Sequence, residues 1–189
     1  MTIRLETRRL VLRPFTAADA EAVQDYVSLW EVARMTTRIA HPYPQGGSAE
    51  WIAGHATMRE NGTEYSFAVT LKENGAVIGG ASLRRSEPGN LELGYVLTPA
   101  YWGQGLATEA AQALVVYGFE KLGAEALNSG HFADNPASGR VLEKAGFRAN
   151  GIARHWSEAR QVFVDANRFL LTRESWQQAR QQTHAGAAS

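Results

Sequence analysis

The chain has 189 residues, a length that suits one domain with a sizeable core. Its 19 basic and 19 acidic side chains give a net charge of zero, without the long basic run that is typical of nucleic-acid binding. Since there is no cysteine, disulfides, thiolate zinc sites and a cysteine nucleophile are excluded. No segment approaches the run of about eighteen apolar residues that spans a membrane, and we expect a cytoplasmic protein.

The first third of the sequence predicts one strand and two helices. Residues 10–13 continue an alternating pattern that stops at Pro14, which predicts a short strand. A helix is predicted to follow from Thr16, which resembles the first residue of a capping box. After a loop rich in Pro and Gly, Ser48 is predicted to cap a second helix over residues 49–60.

The rest of the chain predicts a mixed sheet. Turn signals separate three strands that pair antiparallel, and the apolar period then changes to that of a long helix. Strand–helix–strand passages imply local parallel pairing, so we predict an α+β fold with a mostly antiparallel sheet and helices on both faces. The predicted strands cover residues 65–71, 77–83, 91–97, 126–132, 147–153 and 162–171, and the helices cover 107–121, a segment from Asn135-Pro136 to Gly146, and 175–182. We predict one domain over residues 1–183 and a disordered tail over 184–189.

The most informative segment is residues 95–110, YVLTPAYWGQGLATEA, in which a strand leads through a turn into a helix. Gly103 and Gly105 let the backbone approach a ligand closely. N–H groups at the start of a helix lack partners within it, and the helix dipole adds positive potential, which favours a pyrophosphate. The loop has no lysine of a Walker site, and Thr108 stands where a dinucleotide fingerprint has its third glycine. A tight turn without a ligand is the alternative.

The same segment resembles the acetyl-CoA loop of the GNAT superfamily, which follows the pattern Q/R-x-x-G-x-G/A between a strand and a long helix. Here residues 102–107 read WGQGLA, so that Trp102 departs from the first position. This departure resembles the branch of Rim-type ribosomal-protein N-terminal acetyltransferases. TRRLVLRP at residues 7–14 and NPASGRVLEKAGF at residues 135–147 are similar to the same branch. The resemblance covers nearly the whole chain and implies the GNAT fold.

The resemblance also implies acetyl-CoA as cosubstrate, without a metal. Two central strands, 91–97 and 126–132, would splay apart and hold the pantetheine arm, with main-chain groups of Val96 and Leu97 pairing with its amides. Asn135 either caps its helix or also hydrogen-bonds the pantetheine arm, and both can hold. The residues expected at the pyrophosphate are those of the loop and the first helical turn, namely Gly103, Gln104, Gly105, Leu106, Ala107 and Thr108.

Three side chains are candidates for the chemistry. Glu92, on the strand before the loop, is either a base that acts through water or a solvent-facing charge. His131, at the end of the next strand, is a second candidate base or a structural histidine. By resemblance, Ser138 would protonate the departing thiolate; otherwise it is a plain helix-start serine. The glutamate proposed for the Rim enzymes aligns with Ser157, and Glu158 lies one position away on the opposite face, which weakens the expectation of a ribosomal-protein acceptor.

These residues predict an enzyme that moves the acetyl group of acetyl-CoA to a primary amine by direct attack in a ternary complex. A protein α-amine, with a pKa of about 8, costs roughly 1 kcal/mol to neutralise at pH 7, whereas a lysine costs roughly 4–5 kcal/mol. A protein N-terminal amine is therefore one expected acceptor. A small amine (an amino acid, polyamine or antibiotic) and a non-catalytic acetyl-CoA-binding module are the alternatives. We expect a monomer or homodimer, with no nucleic-acid or membrane partner.

Overall fold

The computed structural model describes residues 3–187, which form one eight-stranded sheet covered by helices on both faces. Short 3-10 turns precede α1 and α5. In chain order the elements are β1 (Leu5–Glu6), β2 (Leu10–Arg13), α1 (Ala20–Val27), α2 (Trp30–Ala33), α3 (Gly47–Ala53), α4 (His55–Glu60), β3 (Glu64–Leu71), β4 (Val77–Glu87), β5 (Asn90–Leu97), α5 (Leu106–Glu120), β6 (Ala126–Phe132), α6 (Pro136–Lys144), β7 (Arg148–Ser157), β8 (Val162–Thr172) and α7 (Arg173–Ala187).

The strands lie in the order β1-β2-β3-β4-β5-β6-β8-β7. Every neighbouring pair is antiparallel except β5 and β6, which are parallel. The long helix α5 makes the crossover that a parallel pair requires, whereas the antiparallel neighbours β3, β4 and β5 are joined by short turns. The mixed, mostly antiparallel sheet with helices on both faces is therefore confirmed.

Each face of the sheet has its own apolar core. On the side that we call the α5 face, Leu93 and Leu127 pack with α5 residues such as Leu114. On the opposite side, the α1 face, Val23 packs in a smaller cluster with Ala68. Because side chains alternate along a strand, β5 directs its leucines to the α5 face and its even-numbered residues to the α1 face.

The prediction of the second helix is wrong in two details. α3 begins after Gly46, which has a φ of 78°, so Ser48 is not its cap. Ser48 is buried inside the helix instead, and its hydroxyl donates to Gln24 Oε1 at 3.0 Å. The predicted single helix over residues 49–60 is divided at Gly54 into α3 and α4. Glycine is a poor helix former, which suits it to this break.

The C-terminal helix is longer than predicted. α7 spans Arg173–Ala187, whereas the sequence predicts a helix over residues 175–182. The backbone of residues 184–187, placed by the sequence in a disordered tail, is thus helical, and residues 188–189 lie outside the described residues. Within residues 3–187, no helix is long and apolar enough to cross a membrane. The same residues contain no group of three or more His, Cys, Asp or Glu side chains suited to holding a metal ion.

Candidate active site

The central feature of the site is a gap between β5 and β6. The two strands pair only from Asn90 to Glu92 on β5 and from Ala126 to Asn128 on β6. The strands themselves are longer, since β5 has 8 residues and β6 has 7. One residue further along, the Ser129 hydroxyl donates to Leu93 O at 2.8 Å. Beyond that contact the strands have no paired residues in the described part of the chain. The predicted splaying of the two central strands is therefore confirmed.

The main-chain groups that face the gap follow from the hydrogen-bond pattern of β5. Thr98 N donates to Ile78 O on the β4 side at 2.8 Å. Because hydrogen-bonded positions recur at every second residue of an antiparallel pair, the main chain of Val96 also faces β4. The N–H and C=O groups of Tyr95 and Leu97 face the gap instead. The structure thus turns the main chain of Val96, a predicted cofactor contact, away from the gap.

The loop before α5 presents a row of free N–H groups. The first helical bond of α5 runs from Glu109 N to Gly105 O, at 3.1 Å. Within residues 3–187, no hydrogen bond is made by the N–H groups of residues 103–108. Gly103 and Gly105 have φ values of 73° and 76°, and a Cβ atom would meet nothing within 4 Å at Gly103 and only Arg9 Nη2, at 3.6 Å, at Gly105. The loop is therefore open toward solvent.

Trp102, the residue that departs from the loop pattern, holds the turn in place. Its indole N–H donates to Leu97 O at 2.7 Å, which ties the loop to the end of β5. The amide of Gln104 donates to Ala100 O at 2.9 Å within the same turn. The side chains of Trp102 and Gln104 thus shape the loop, while the backbone N–H groups remain available to an anion.

A brace that the sequence analysis missed supports the loop from the N-terminal segment. The Glu109 carboxylate accepts hydrogen bonds from the Thr7 hydroxyl at 2.6 Å, from Arg9 N at 2.7 Å and from Arg9 Nε at 2.8 Å. Arg9 Nη1 also donates to Gln104 O at 2.9 Å. Burial raises the pKa of Glu109, but these donors outweigh burial and leave it below its ordinary value. The sequence feature that could have revealed this brace is Glu109, an acidic residue in the first turn of the predicted helix.

A pair of hydroxyl groups connects β5 to the start of α6. Asn135 Oδ1 accepts from Ser138 N at 3.3 Å, which confirms Asn135 as the cap of α6. The Tyr95 hydroxyl lies within hydrogen-bond distance of two oxygen atoms, Ser138 Oγ at 2.7 Å and Ser138 O at 3.1 Å. Burial raises the pKa of Tyr95 to about 12. Tyr95 has no predicted role in the site, because strand periodicity does not show where a hydroxyl points.

A row of polar residues crosses the α1 face beside the gap. Glu64, Arg84, Glu92 and Asn128 are in register on four neighbouring strands. The Glu92 carboxylate is paired with the Arg84 guanidinium. Glu64 is buried and accepts from the Ser66 hydroxyl at 3.0 Å. Because Glu92 belongs to the last paired position of β5, its carboxylate lies where the gap opens.

His131, the second candidate base, is buried against α6. Its Nδ1 donates to Phe132 O at 2.8 Å, because a carbonyl oxygen only accepts. A Cβ atom at Gly139 would lie 2.7 Å from His131 Nε2, so the other ring nitrogen is pressed against the helix. Alternation along the strands places His131 on the α5 face and Glu92 on the α1 face. The structure does not bring the two candidate bases together.

The turn between β7 and β8 has a structural role at Ser157. This side chain is fully buried, its hydroxyl lies 3.5 Å from Thr36 O, and Arg160 N donates to it at 3.3 Å. Glu158 N donates to Thr37 O at 3.1 Å, while the rest of Glu158 is exposed. The turn is thereby tied to the segment that follows α2.

Comparison with known proteins agrees with this geometry. The profile of a family described as acetyltransferase (GNAT) domain matches residues 9–148. The chain belongs to the GNAT acetyltransferase family. This acetyltransferase is 31% identical over 174 residues to the uncharacterised N-acetyltransferase p20 of Bacillus licheniformis, a match that covers 90% of this chain and 97% of the relative.

Two further similarities concern ribosomal-protein enzymes. The acetyltransferase is 26% identical to the ribosomal protein uS5 alanine N-acetyltransferase of Escherichia coli strain K12, over 92% of this chain and 93% of the relative. Its fold is also similar to that of RimL, a ribosomal α-N-protein acetyltransferase solved in complex with coenzyme A. That similarity has a TM-score of 0.78 at 18% identity and covers 90% of this chain and 98% of the solved one.

Proposed function

We propose that this acetyltransferase uses acetyl-CoA as its donor and a protein N-terminal α-amine as its acceptor, by direct attack in a ternary complex. The observation that carries the donor assignment is the row of free N–H groups at residues 103–108, next to the gap between β5 and β6. A helix N-terminus of this kind suits a pyrophosphate. The gap suits a pantetheine arm, whose amides can pair with the main chain as an added strand does.

The donor would enter from the α5 face, because α5 packs there and the free N–H groups lie at its start. In the gap, the main chains of Tyr95 and Leu97 replace Val96 as the expected partners of the pantetheine amides. The Leu97 carbonyl already accepts from Trp102, which leaves the Leu97 N–H as its free donor. Asn135 uses Oδ1 for the helix cap, so its amide NH₂ is the group that can donate to the arm.

The acceptor would approach from the opposite, α1 face, where Glu92 stands beside the opening of the gap. A water molecule held by the Glu92 carboxylate is a suitable route for the amine proton. The Arg84 guanidinium already pairs with this carboxylate, which leaves less of the carboxylate to accept a proton. The acceptor that fits this base best is therefore an amine that loses its proton easily. A protein α-amine, with a pKa of about 8, meets that requirement better than a lysine at about 10.4.

The similarity to an enzyme that acts on a ribosomal-protein alanine supports the same acceptor class. The Rim-type catalytic glutamate, however, has no counterpart at the buried Ser157. We therefore propose a protein N-terminus in general rather than a ribosomal protein. The cytoplasmic location and the monomeric or homodimeric state remain predictions.

An acceptor panel tests this proposal. Release of the coenzyme A thiol would be followed with peptides that have a free α-amine, the same peptides with a blocked α-amine and a free lysine, and a set of amino acids, polyamines and aminoglycosides. We expect turnover only with the free α-amines. Turnover with small amines alone would replace the acceptor class, and tight acetyl-CoA binding without any turnover would indicate a binding module.

A further inference from the structure

The hydroxyl pair of Tyr95 and Ser138 lies across the widening part of the gap. Tyr95 is on β5, three residues beyond the last paired position, and Ser138 is in the first turn of the helix that follows β6. The Tyr95 oxygen lies 2.7 Å from Ser138 Oγ and 3.1 Å from Ser138 O. The pair is therefore a bridge between the two walls of the gap on its α5 face.

The hydrogens of this pair can be arranged in two ways. Each hydroxyl has one hydrogen to donate. If Tyr95 donates to the Ser138 carbonyl, the short 2.7 Å contact must be a donation from Ser138 to Tyr95, and Ser138 has no hydrogen left for a ligand. If Tyr95 instead donates to Ser138 Oγ, the Ser138 hydrogen is free to point into the gap. A small rotation of the Tyr95 O–H bond exchanges the two arrangements.

We propose that Tyr95 is a positioning residue that turns the Ser138 hydroxyl hydrogen toward the sulfur atom of the cosubstrate. This inference rests on the proposed function, because the sulfur would lie in the gap only if acetyl-CoA is the donor. Without Tyr95, a serine in the first turn of a helix tends to bond back to its own backbone. With Tyr95 donating to Oγ, the two hydroxyls and the sulfur form a chain in which each hydrogen bond polarises the next.

The chemistry needs a hydrogen bond to sulfur rather than a proton transfer. As the amine nitrogen bonds to the acetyl carbon, the carbon–sulfur bond breaks and its electron pair goes to sulfur. A thiol has a pKa of about 8.5, far below that of an aliphatic hydroxyl, so Ser138 keeps its proton and stabilises the thiolate by donation. Burial raises the pKa of Tyr95 to about 12, so this residue also keeps its proton. The amine proton leaves separately, through water to Glu92.

A binding experiment that needs no acceptor tests the inference. The affinities of coenzyme A and desulfo-coenzyme A would be measured by calorimetry between pH 7 and pH 9.5 for the wild type and for Tyr95→Phe. In the wild type, we expect the affinity for coenzyme A relative to desulfo-coenzyme A to rise about tenfold over this pH range, because the thiol ionises. In Tyr95→Phe, the same ratio should rise less than about threefold. The same variant should lower kcat about tenfold with little change in the KM for acetyl-CoA.

Three further variants separate a positioning role of Tyr95 from a structural role. Tyr65→Phe removes a hydroxyl from a tyrosine that packs against the same core, and it should behave as the wild type. Ser138→Ala should lose the pH-dependent ratio, and adding Tyr95→Phe to it should have no further effect. An unchanged ratio in Tyr95→Phe, or an equal loss of affinity for both ligands, would overturn the inference. If the wild type binds neither ligand, the proposed donor itself is wrong.

Discussion

The two faces of the sheet at the gap are built in different ways. On the α5 face, the expected seat of the cofactor consists of backbone N–H groups at residues 103–108, and side chains only brace it. On the α1 face, the polar surface consists of side chains in register on neighbouring strands, with Glu92 paired to Arg84. A backbone site depends on turn geometry and on a helix start, whereas a side-chain site depends on which strands become neighbours.

This difference predicts how the two regions respond to substitution. A new side chain at the loop would place bulk or charge directly against the bound anion, so it should abolish cofactor binding. Replacement of one carboxylate on the α1 face removes one group from a row that still contains other polar residues. It should therefore change the rate and its pH dependence rather than binding.

The largest expected effect is that of Gly105→Glu. This residue has a φ of 76° at the start of α5, and the new carboxylate would repel the pyrophosphate at the point where the free N–H groups meet. We expect the affinity for coenzyme A to fall more than about a hundredfold, because a favourable charge interaction is replaced by repulsion. Isothermal calorimetry with coenzyme A measures the loss.

Gly123→Glu is the matched control for that experiment. Gly123 also has a positive φ, 69°, and a Cβ atom there meets nothing within 4 Å. It lies beyond the far end of α5, about 22 Å away along a 15-residue helix. The backbone strain is the same, so the control should lose stability but keep its affinity. Equal affinity in both variants would contradict the assignment of the loop.

A smaller effect is expected for Glu92→Gln on the α1 face. If Glu92 removes the amine proton through water, the amide variant should lower kcat about tenfold or more at pH 6.5. The deficit should shrink above pH 8, where an α-amine is largely neutral without help. Steady-state rates from pH 6 to pH 9 with an α-amine peptide provide the measurement.

Glu87→Gln, at the exposed end of β4, is the control for a general change of surface charge. Its pH profile should coincide with that of the wild type. A Glu92→Gln profile that also coincides with the wild type would leave the base unassigned. His131 would not replace it easily, because its ring is buried against Gly139 on the other face.

The same contrast explains what the sequence could predict. β6 was predicted at Ala126–Phe132, as observed, and the start of α6 was predicted from Asn135-Pro136, because caps and strand patterns are local signals. The glycine loop was predictable for the same reason. Tyr95 was not, since its bond to Ser138 joins residues 43 positions apart. The two-helix break at Gly54 was also missed, because tertiary packing decides whether one glycine interrupts a helix.

The brace of the loop provides a stability prediction. The Glu109 pKa lies below its ordinary value, so its ionised form stabilises the fold above the unfolded pKa of about 4.3, and this contribution is lost as pH falls through the folded pKa. Glu109→Gln should lower the free energy of unfolding by about 2 kcal/mol at pH 7 and by less near pH 3. Urea titrations at several pH values test this.

Glu120→Gln tests whether the contribution of Glu109 to stability depends on the burial of its hydrogen bonds. Glu120 is at the other end of α5 and pairs with Arg180, but both side chains are well exposed. An exposed pair contributes about 0–1 kcal/mol, so this variant should have a small effect at every pH. If both variants cost the same, the buried hydrogen bonds at Glu109 do not hold the loop.

The smallest expected effect concerns His55 in α4, next to the α1 face. Its side chain is buried between Trp51 and Phe15, and neither ring nitrogen has a hydrogen-bond partner within residues 3–187. Burial lowers the His55 pKa; the Glu64 carboxylate raises it by less, and the Arg59 guanidinium adds slightly to the lowering. The unfolded chain therefore binds a proton more readily below about pH 6.5, and stability should fall as pH decreases through that region.

His55→Phe removes this titration while it keeps an aromatic ring against Trp51. We expect the loss of unfolding free energy between pH 7 and pH 5 to be about 1 kcal/mol smaller in the variant than in the wild type. Urea titrations at the two pH values measure the difference. Parallel changes in both proteins would mean that His55 has a partner in solution, such as water, that stabilises its charged form. The α1 face would then be wetter than its packing indicates.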